Sequence, residues 1–234
     1  MLSLLSSPQA VIEGIAFNFA LTKPAFLLCY LALQGTWVSR SSLALLLRPD
    51  APDEVARHHL RLLLNRAKVL PWAAGLEIET GRVQFLIQTD VQLFRQAIGS
   101  CNWALAVALY QQPLLLEVSS PSPALEEWLG LERDRLAGAW REAILAQGKF
   151  CLEQQDFVAA AQLFWQLWQD DEFDEMILCA YLKAAYLAGQ REAALSAFKR
   201  FEVVLMQEFK AVPKAATLEY SVRFWQPNHS RYCQ

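Results

Sequence analysis

The stretch DEVARHHLRLLLNRAKVL, residues 53–70, decides how this chain is read. At about 100° per residue, Ala56, Leu60, Leu63, Leu64, Ala67 and Leu70 gather on one side of a helix. Arg57, Arg61 and Lys68 gather on the other, with His58 and Asn65 at their flank, while His59 and Arg66 face elsewhere. A leucine keel docks a helix onto its neighbours and holds the opposite face out to solvent. That outer face carries cations and hydrogen-bonding forks, the chemistry that suits a DNA major groove. Arginine grips guanine N7 and O6 with two bonds, asparagine pairs with adenine, and lysine neutralises phosphate. Alone, such a stripe is more often the solvated face of an ordinary helix. Its neighbours decide between the two.

Upstream, KPAFLLCYLALQG reads as a helix with Pro24 in its first turn and Gly35 placed to end it. VSRSSLALLLRPD follows as a short helix, with Ser39 as N-cap and a stop at Pro49. The third helix, 54–70, is expected to be capped by Asp53 and ended by Pro71. Downstream, LEIETGRVQFLI (76–87) is two β-like runs joined across Thr80-Gly81. At the N-terminus, VIEGIAFNFAL alternates Ile15, Phe17, Phe19 and Leu21 on one side, with Gly14 as a turn between short strands. Strands, three helices with a short middle one, then a hairpin: this order is a winged helix-turn-helix, expected over residues 1–88. Residues 36–53 hold the middle helix and its turn, 54–70 the recognition helix, and 76–87 the wing. Arg82, beside Gly81, is placed to meet an adjacent phosphate or the minor groove.

From Asp90 onward the texture changes to alanine-rich helices. Ala160 and Phe164 recur 34 residues later as Ala194 and Phe198, and Gly189 precedes the second pair as a helix-helix turn. A 34-residue period of small-then-aromatic positions is the tetratricopeptide (TPR) pattern, in which the small residue admits a neighbouring helix and the aromatic fills the groove between pairs. Ala106 and Tyr110 repeat the spacing upstream, before a Ser/Pro-rich loop at 116–124. The expected fold is therefore mainly α with a small β component: a winged helix over 1–88, a TPR-like all-α domain over 89–226, and a polar tail, 227–234. Six of the eight tryptophans fall in the second part, chiefly for packing between helices. Trp165 and Trp168, three apart on one helix, are candidates for a partner or dimer surface.

Charge follows the same division. The chain has a net charge of −3, yet residues 1–88 carry eight Lys/Arg against six Asp/Glu, or +2. The remainder holds 13 basic and 18 acidic residues, or −5. The five cysteines are odd in number and widely spaced, which reads as core thiols in a reducing cytoplasm. AFLLCYLAL (25–33) is too short to span a bilayer, and no signal peptide is evident. His58 and His59 point about 100° apart on their helix and have no third ligand nearby, so no metal is expected. The acidic run QDDEFDE (169–175) reads as a helix junction, with Asp171 or Asp174 capping the next helix and Glu175 in its first turn. The chain has no Walker A sequence, dinucleotide fingerprint or nucleophile elbow. No cofactor and no enzymatic activity are expected.

The run LLCYLALQGTWVSRSSLALLLRPDAPDEVARHHLRLLLNRAK resembles the DNA-binding domain of the Streptomyces antibiotic regulatory protein (SARP) family. The likeness rests on Val38, Ser39, Arg40, Leu43, Ala44, Pro49 and Asp50, then on Ala56, Arg57, Leu60, Arg61 and Lys68. The later ALYQQPLLLEVSSPSPALEEWLGLERDRL is similar to that family's bacterial transcriptional activator domain, through Tyr110, Leu114, Leu115, Trp128, Leu129 and Arg133. Departures are Arg48 at a usual Trp, His59 at a typical Asn and Ala67 at a typical Leu. The resemblance implies a cytoplasmic transcriptional regulator that binds double-stranded DNA through Arg57, His58, Arg61, Asn65, Lys68, Arg82 and Arg40. Its helical domain would form a homodimer, contact RNA polymerase or receive a signal. The competing expectation is a protein-interaction adaptor with a repurposed winged helix, favoured by the low charge of the head and by Arg48.

Overall fold

The first eighteen residues form a three-stranded antiparallel sheet, β1 (Leu2–Ser3), β2 (Gln9–Ile12) and β3 (Ile15–Asn18), in that order. The computed structural model describes residues 1–116, 122–215, 217 and 218. Glu13 and Gly14, both at positive φ, make the β2–β3 turn at the expected place. The alternation on β3 does not bury its apolar side. All four residues of β3 are exposed, and Phe19 beyond it meets Trp72, with ring centroids 4.5 Å apart.

α1 (Lys23–Gln34) starts where Thr22 accepts a hydrogen bond from the Ala25 amide, and it ends at Gly35. Gly35 sits in the left-handed region at φ 63° and returns its amide to the Leu31 carbonyl, a closure that favours a residue without Cβ. β4 (Val38–Ser39) leads into α2 (Arg40–Leu47), whose first turn Ser39 caps as expected. α3 (Asp53–Ala67) lacks the expected cap: Pro52 precedes it, and Asp53 is instead its first residue. The helix also stops three residues short of Leu70, with Lys68 as its C-cap. Ala56, Leu60, Leu63, Leu64 and Ala67 are buried as the periodicity requires, against α1 and α2. Each buried leucine contributes about 1.5–3 kcal/mol, so this keel outweighs any preference of the polar face for one orientation. β5 (Leu76–Ile78) and β6 (Arg82–Phe85) form the hairpin, and β6 also pairs with β4. Arg48, where the resembled family has tryptophan, is exposed at the C-cap of α2 and anchors no core.

α4 (Asp90–Gly99) opens with a full capping box between Thr89 and Gln92. α5 (Trp103–Leu109) and α6 (Pro123–Glu153) follow. The chain forms two compact units, the first ending at Trp140 and the second beginning at Arg141. Residue 88, the boundary expected from sequence, lies inside the first unit, and the reason is visible at the N-terminus. Leu2, Leu4 and Leu5 are fully buried. The Asp90 carboxylate accepts hydrogen bonds from the Leu4 and Leu5 amides at 2.8–2.9 Å. The Leu5 carbonyl accepts from the Gln111 and Gln112 amides, and the Leu4 carbonyl from Leu115. Further along, Tyr30 meets Trp128 edge-on at 4.8 Å, and Arg133 donates to the carbonyls of Leu114 and Leu115. Phe94, Tyr110 and Trp140 complete the unit as consecutive ring contacts.

In the second unit, α7 (Phe157–Asp170), α8 (Glu175–Leu187) and α9 (Arg191–Phe209) form successive antiparallel neighbours. Ala160, Phe164, Ala194 and Phe198, the positions of the 34-residue period, are all buried. Gly148 explains one close approach: a Cβ there would lie 2.5 Å from the Phe164 ring. Asp174 caps α8 through the Met176 and Ile177 amides and also pairs with Arg141. Trp168, expected on a partner surface, is only 1 % exposed and belongs to the core, whereas Trp165 is half-buried beside it. Cys29 and Cys151 are buried thiols, and burial drives the Cys29 thiol far above its ordinary value. Cys101, expected in the core, is exposed in the α4–α5 turn. Residues 219–226, the tail from 227, Trp225, His229, Cys233 and most of the 116–124 loop lie outside the described residues. No described helix is long and apolar enough to cross a membrane, and the described residues hold no group of acidic, His and Cys side chains able to bind a metal.

Burial pushes the Asp90 carboxyl above its ordinary value, against the opposing pull of the Leu5 and Leu4 amides. Asp90→Ala would leave both amides buried without a partner, at about 1–3 kcal/mol each. The variant should lose about 2–6 kcal/mol in urea unfolding. A loss below about 1 kcal/mol would show that the N-terminal strand is held by its leucines alone.

Candidate nucleic-acid interface

The outward face of α3 is a direct consequence of its keel. Arg57, His58, Arg61, Asn65 and Lys68 are all exposed and stand on the side turned away from Leu60 and Leu64. Acidic Asp53 and Glu54 occupy the first turn, where the helix dipole favours them. Asp53 then meets the stripe itself, pairing with Arg57 at 2.5 Å across one turn. Both partners are more than 60 % exposed, so water screens the pair and Arg57 can exchange it for another anion. Arg61 donates to His58 Nδ1 at 2.9 Å, which aligns the two side chains. The side chains of Asn65 and Lys68 make no hydrogen bond or ion pair among the described residues.

The wing arginines are held more firmly than the sequence implied. Arg40, the first residue of α2, donates its guanidinium to the Glu79 and Thr80 carbonyls at 3.1 and 3.5 Å, while its amide reaches the Gly81 carbonyl. It thus pins the wing turn to the start of α2. Arg82 is sandwiched between Glu79, at 2.6 and 3.3 Å, and the Trp37 ring, 4.3 Å from its centroid. The Arg82 bond holds the Glu79 carboxyl below its usual value. Arg82 therefore presents a stacked cation already paired with a carboxylate.

These anchors bring two of the candidates together. Arg40 and Arg57, with Ser41, Leu60, Thr80 and Gly81, line a cleft of about 350 Å³ between α2, α3 and the wing. Ser41 and Trp37 were not singled out from sequence. Ser41 lies two residues after the N-cap Ser39, whose Oγ it meets at 2.8 Å, and that proximity to a cap is the signal it carries in the sequence. Arg61, Asn65 and Lys68 run further along the helix, beyond the cleft. The arrangement is a polar pocket with two guanidinium groups at one end of an exposed cationic stripe.

Residues 93–222 match the family described as the bacterial transcriptional activator domain. The chain belongs to that family. A winged helix followed by this domain is the SARP arrangement that α1–α3 and the following segment resemble. Among solved structures, the chain is similar to Mycobacterium tuberculosis EmbR, determined in complex with a low-affinity phosphopeptide. The TM-score is 0.58 at 17 % identity over 96 % of this chain, a likeness of fold. This chain spans 65 % of the length of that one. No curated protein matches.

If the Asp53–Arg57 pair is exchangeable, Asp53→Asn should change stability by about 1 kcal/mol or less. Urea unfolding of the two proteins measures this, and a loss above about 3 kcal/mol would mark Arg57 as a structural arginine.

Proposed function

We propose that this chain is a sequence-specific, DNA-binding transcriptional regulator of the SARP type. The α3 stripe is the element that enters the major groove. The observation that carries this reading is the uninterrupted exposure of Arg57, His58, Arg61, Asn65 and Lys68 on a helix whose other side is locked into the core. Arg61 and Asn65, the forked side chains, read base edges, and Lys68 neutralises a phosphate. Arg40 and Arg57 grip a backbone phosphate at the mouth of their cleft, where Ser41 adds a hydroxyl donor. Arg82 contributes less, because it is already paired with Glu79.

With a net charge of only +2 over residues 1–88, one copy makes few phosphate contacts and binds weakly. Two copies on paired half-sites recover affinity through effective concentration. The helical domain is proposed to dimerise or to contact RNA polymerase, and it carries no enzymatic step. The protein is proposed to act in the cytoplasm, where its DNA lies.

Arg61→Ala should weaken binding to the preferred site by about 1–3 kcal/mol and relax preference at one base pair. Lys68→Ala should weaken binding evenly across sequences and reduce the salt slope by about one. Fluorescence anisotropy on a selected duplex and on random duplex separates the two. Unchanged binding in both variants would remove the stripe from DNA and leave the winged helix as a protein-interaction module.

A further inference from the structure

α3 has a third face that neither the keel nor the stripe uses. Val55, Leu62 and Val69 recur every seven residues, so they lie within about 40° of one line. They are 51 %, 43 % and 81 % exposed. Lys68 stays in the right-handed helical region, which carries the row on to Val69. Leu62 follows Arg61 directly and so points about 100° around the helix from it. A row of apolar side chains about 21 Å long therefore flanks the stripe and has no cover among the described residues.

The surroundings of this row are cationic. Arg66 and His59 occupy a parallel line one turn along the same flank. Burial first, and then the charges of Arg48, Lys23, Arg66 and His58, hold the His59 imidazole below its ordinary value. The end of α2 and the start of α1 thus bring Arg48 and Lys23 into the same field. Lys23, Arg48 and Arg66 are exposed and form no ion pair among the described residues. Asp50 and Glu54 lie near them in sequence and form no ion pair with them, and Asp53 is engaged by Arg57. His59 Nδ1 is buried there with no hydrogen-bond partner.

We propose that this flank is a docking surface for an acidic amphipathic helix of a partner protein. Residues seven apart stay close to one line of a helix, so a partner helix laid along α3 meets all three. Here Val55, Leu62 and Val69 supply the seam, and Arg66, Arg48 and Lys23 meet carboxylates along its edge. Duplex DNA would leave the apolar row against phosphates, and a cationic partner would be repelled. The row adjoins the stripe at His58 and Asn65 but shares no residue with it, so the inference does not rest on the DNA reading.

The test uses the full chain, labelled with ¹⁵N, and a synthetic helix of about four to six turns with leucines on one face and glutamates flanking them. A matched peptide with lysines replacing the glutamates is the control. The acidic peptide should perturb the resonances of Val55, Leu62, Arg66 and Val69, and its affinity should fall at least tenfold in both Leu62→Glu and Arg66→Glu. Equal binding of the lysine peptide, or perturbations confined to other helices, overturns the proposal. So does a concentration-dependent mass lost in Leu62→Glu, which makes a second copy the occupant. A tenfold loss of duplex affinity in Leu62→Ser also overturns it, by assigning the row to the DNA wall. A protein that captures the acidic helix but ignores duplex DNA upholds this proposal and removes the DNA reading instead.

Discussion

Burial of Leu60, Leu63 and Leu64 against α1 and α2 is the constraint on which the rest depends. Once those three side chains are inside, helical geometry leaves no freedom in where the others point. Arg57, Arg61 and Lys68 must face out together, and Val55, Leu62 and Val69 must share a neighbouring flank. One hydrophobic docking event thereby presents two chemically distinct surfaces on a single helix. The wing adds a third wall, fixed to α2 by the Arg40 guanidinium and by pairing of β4 with β6.

Asp90 plays a comparable part for the first unit as a whole. A carboxylate at the first turn of α4 accepts the amides of a buried N-terminal strand, whose carbonyls in turn hold residues 111, 112 and 115. The winged helix and the helices that follow it are consequently joined through backbone hydrogen bonds, which depend on geometry and little on side-chain identity. The second unit relies on a different device, close helix approach at small residues such as Gly148 and Ala160, with Phe164 and Phe198 filling the spaces between.

What was legible in the sequence was whatever local periodicity and capping control. The three helices, Gly35, Ser39, the Thr80-Gly81 hairpin and the 34-residue spacing are all of this kind. Features that depend on distant partners were not legible. Asp90 meets Leu4 across 86 residues, and no spacing rule reveals such a pair. The alternation on β3 promised a buried face, but burial depends on what packs against the strand, and all four of its residues are exposed. Trp168 was misassigned because two tryptophans three apart can straddle the edge of a buried face, and burial depends on the helices opposite. At the interface, the stripe on α3 was read correctly as exposed. The engagement of Arg57 by Asp53, of Arg82 by Glu79 and Trp37, and of Arg40 by the wing needed coordinates.

Those engagements set the electrostatic character of the surface. The charges that compensate Arg57 and Arg82 are local, exposed and three or four residues away, so they lower the field without blocking access. A surface of this type binds polyanions weakly and in strong competition with salt. The direct measurement is therefore the association constant for random duplex DNA as a function of salt concentration, taken on the unmodified chain. The account predicts measurable affinity at low salt and a log–log slope of about −3 to −5, the release expected from a handful of phosphate contacts. A slope near zero, or no association at the lowest salt, would contradict it.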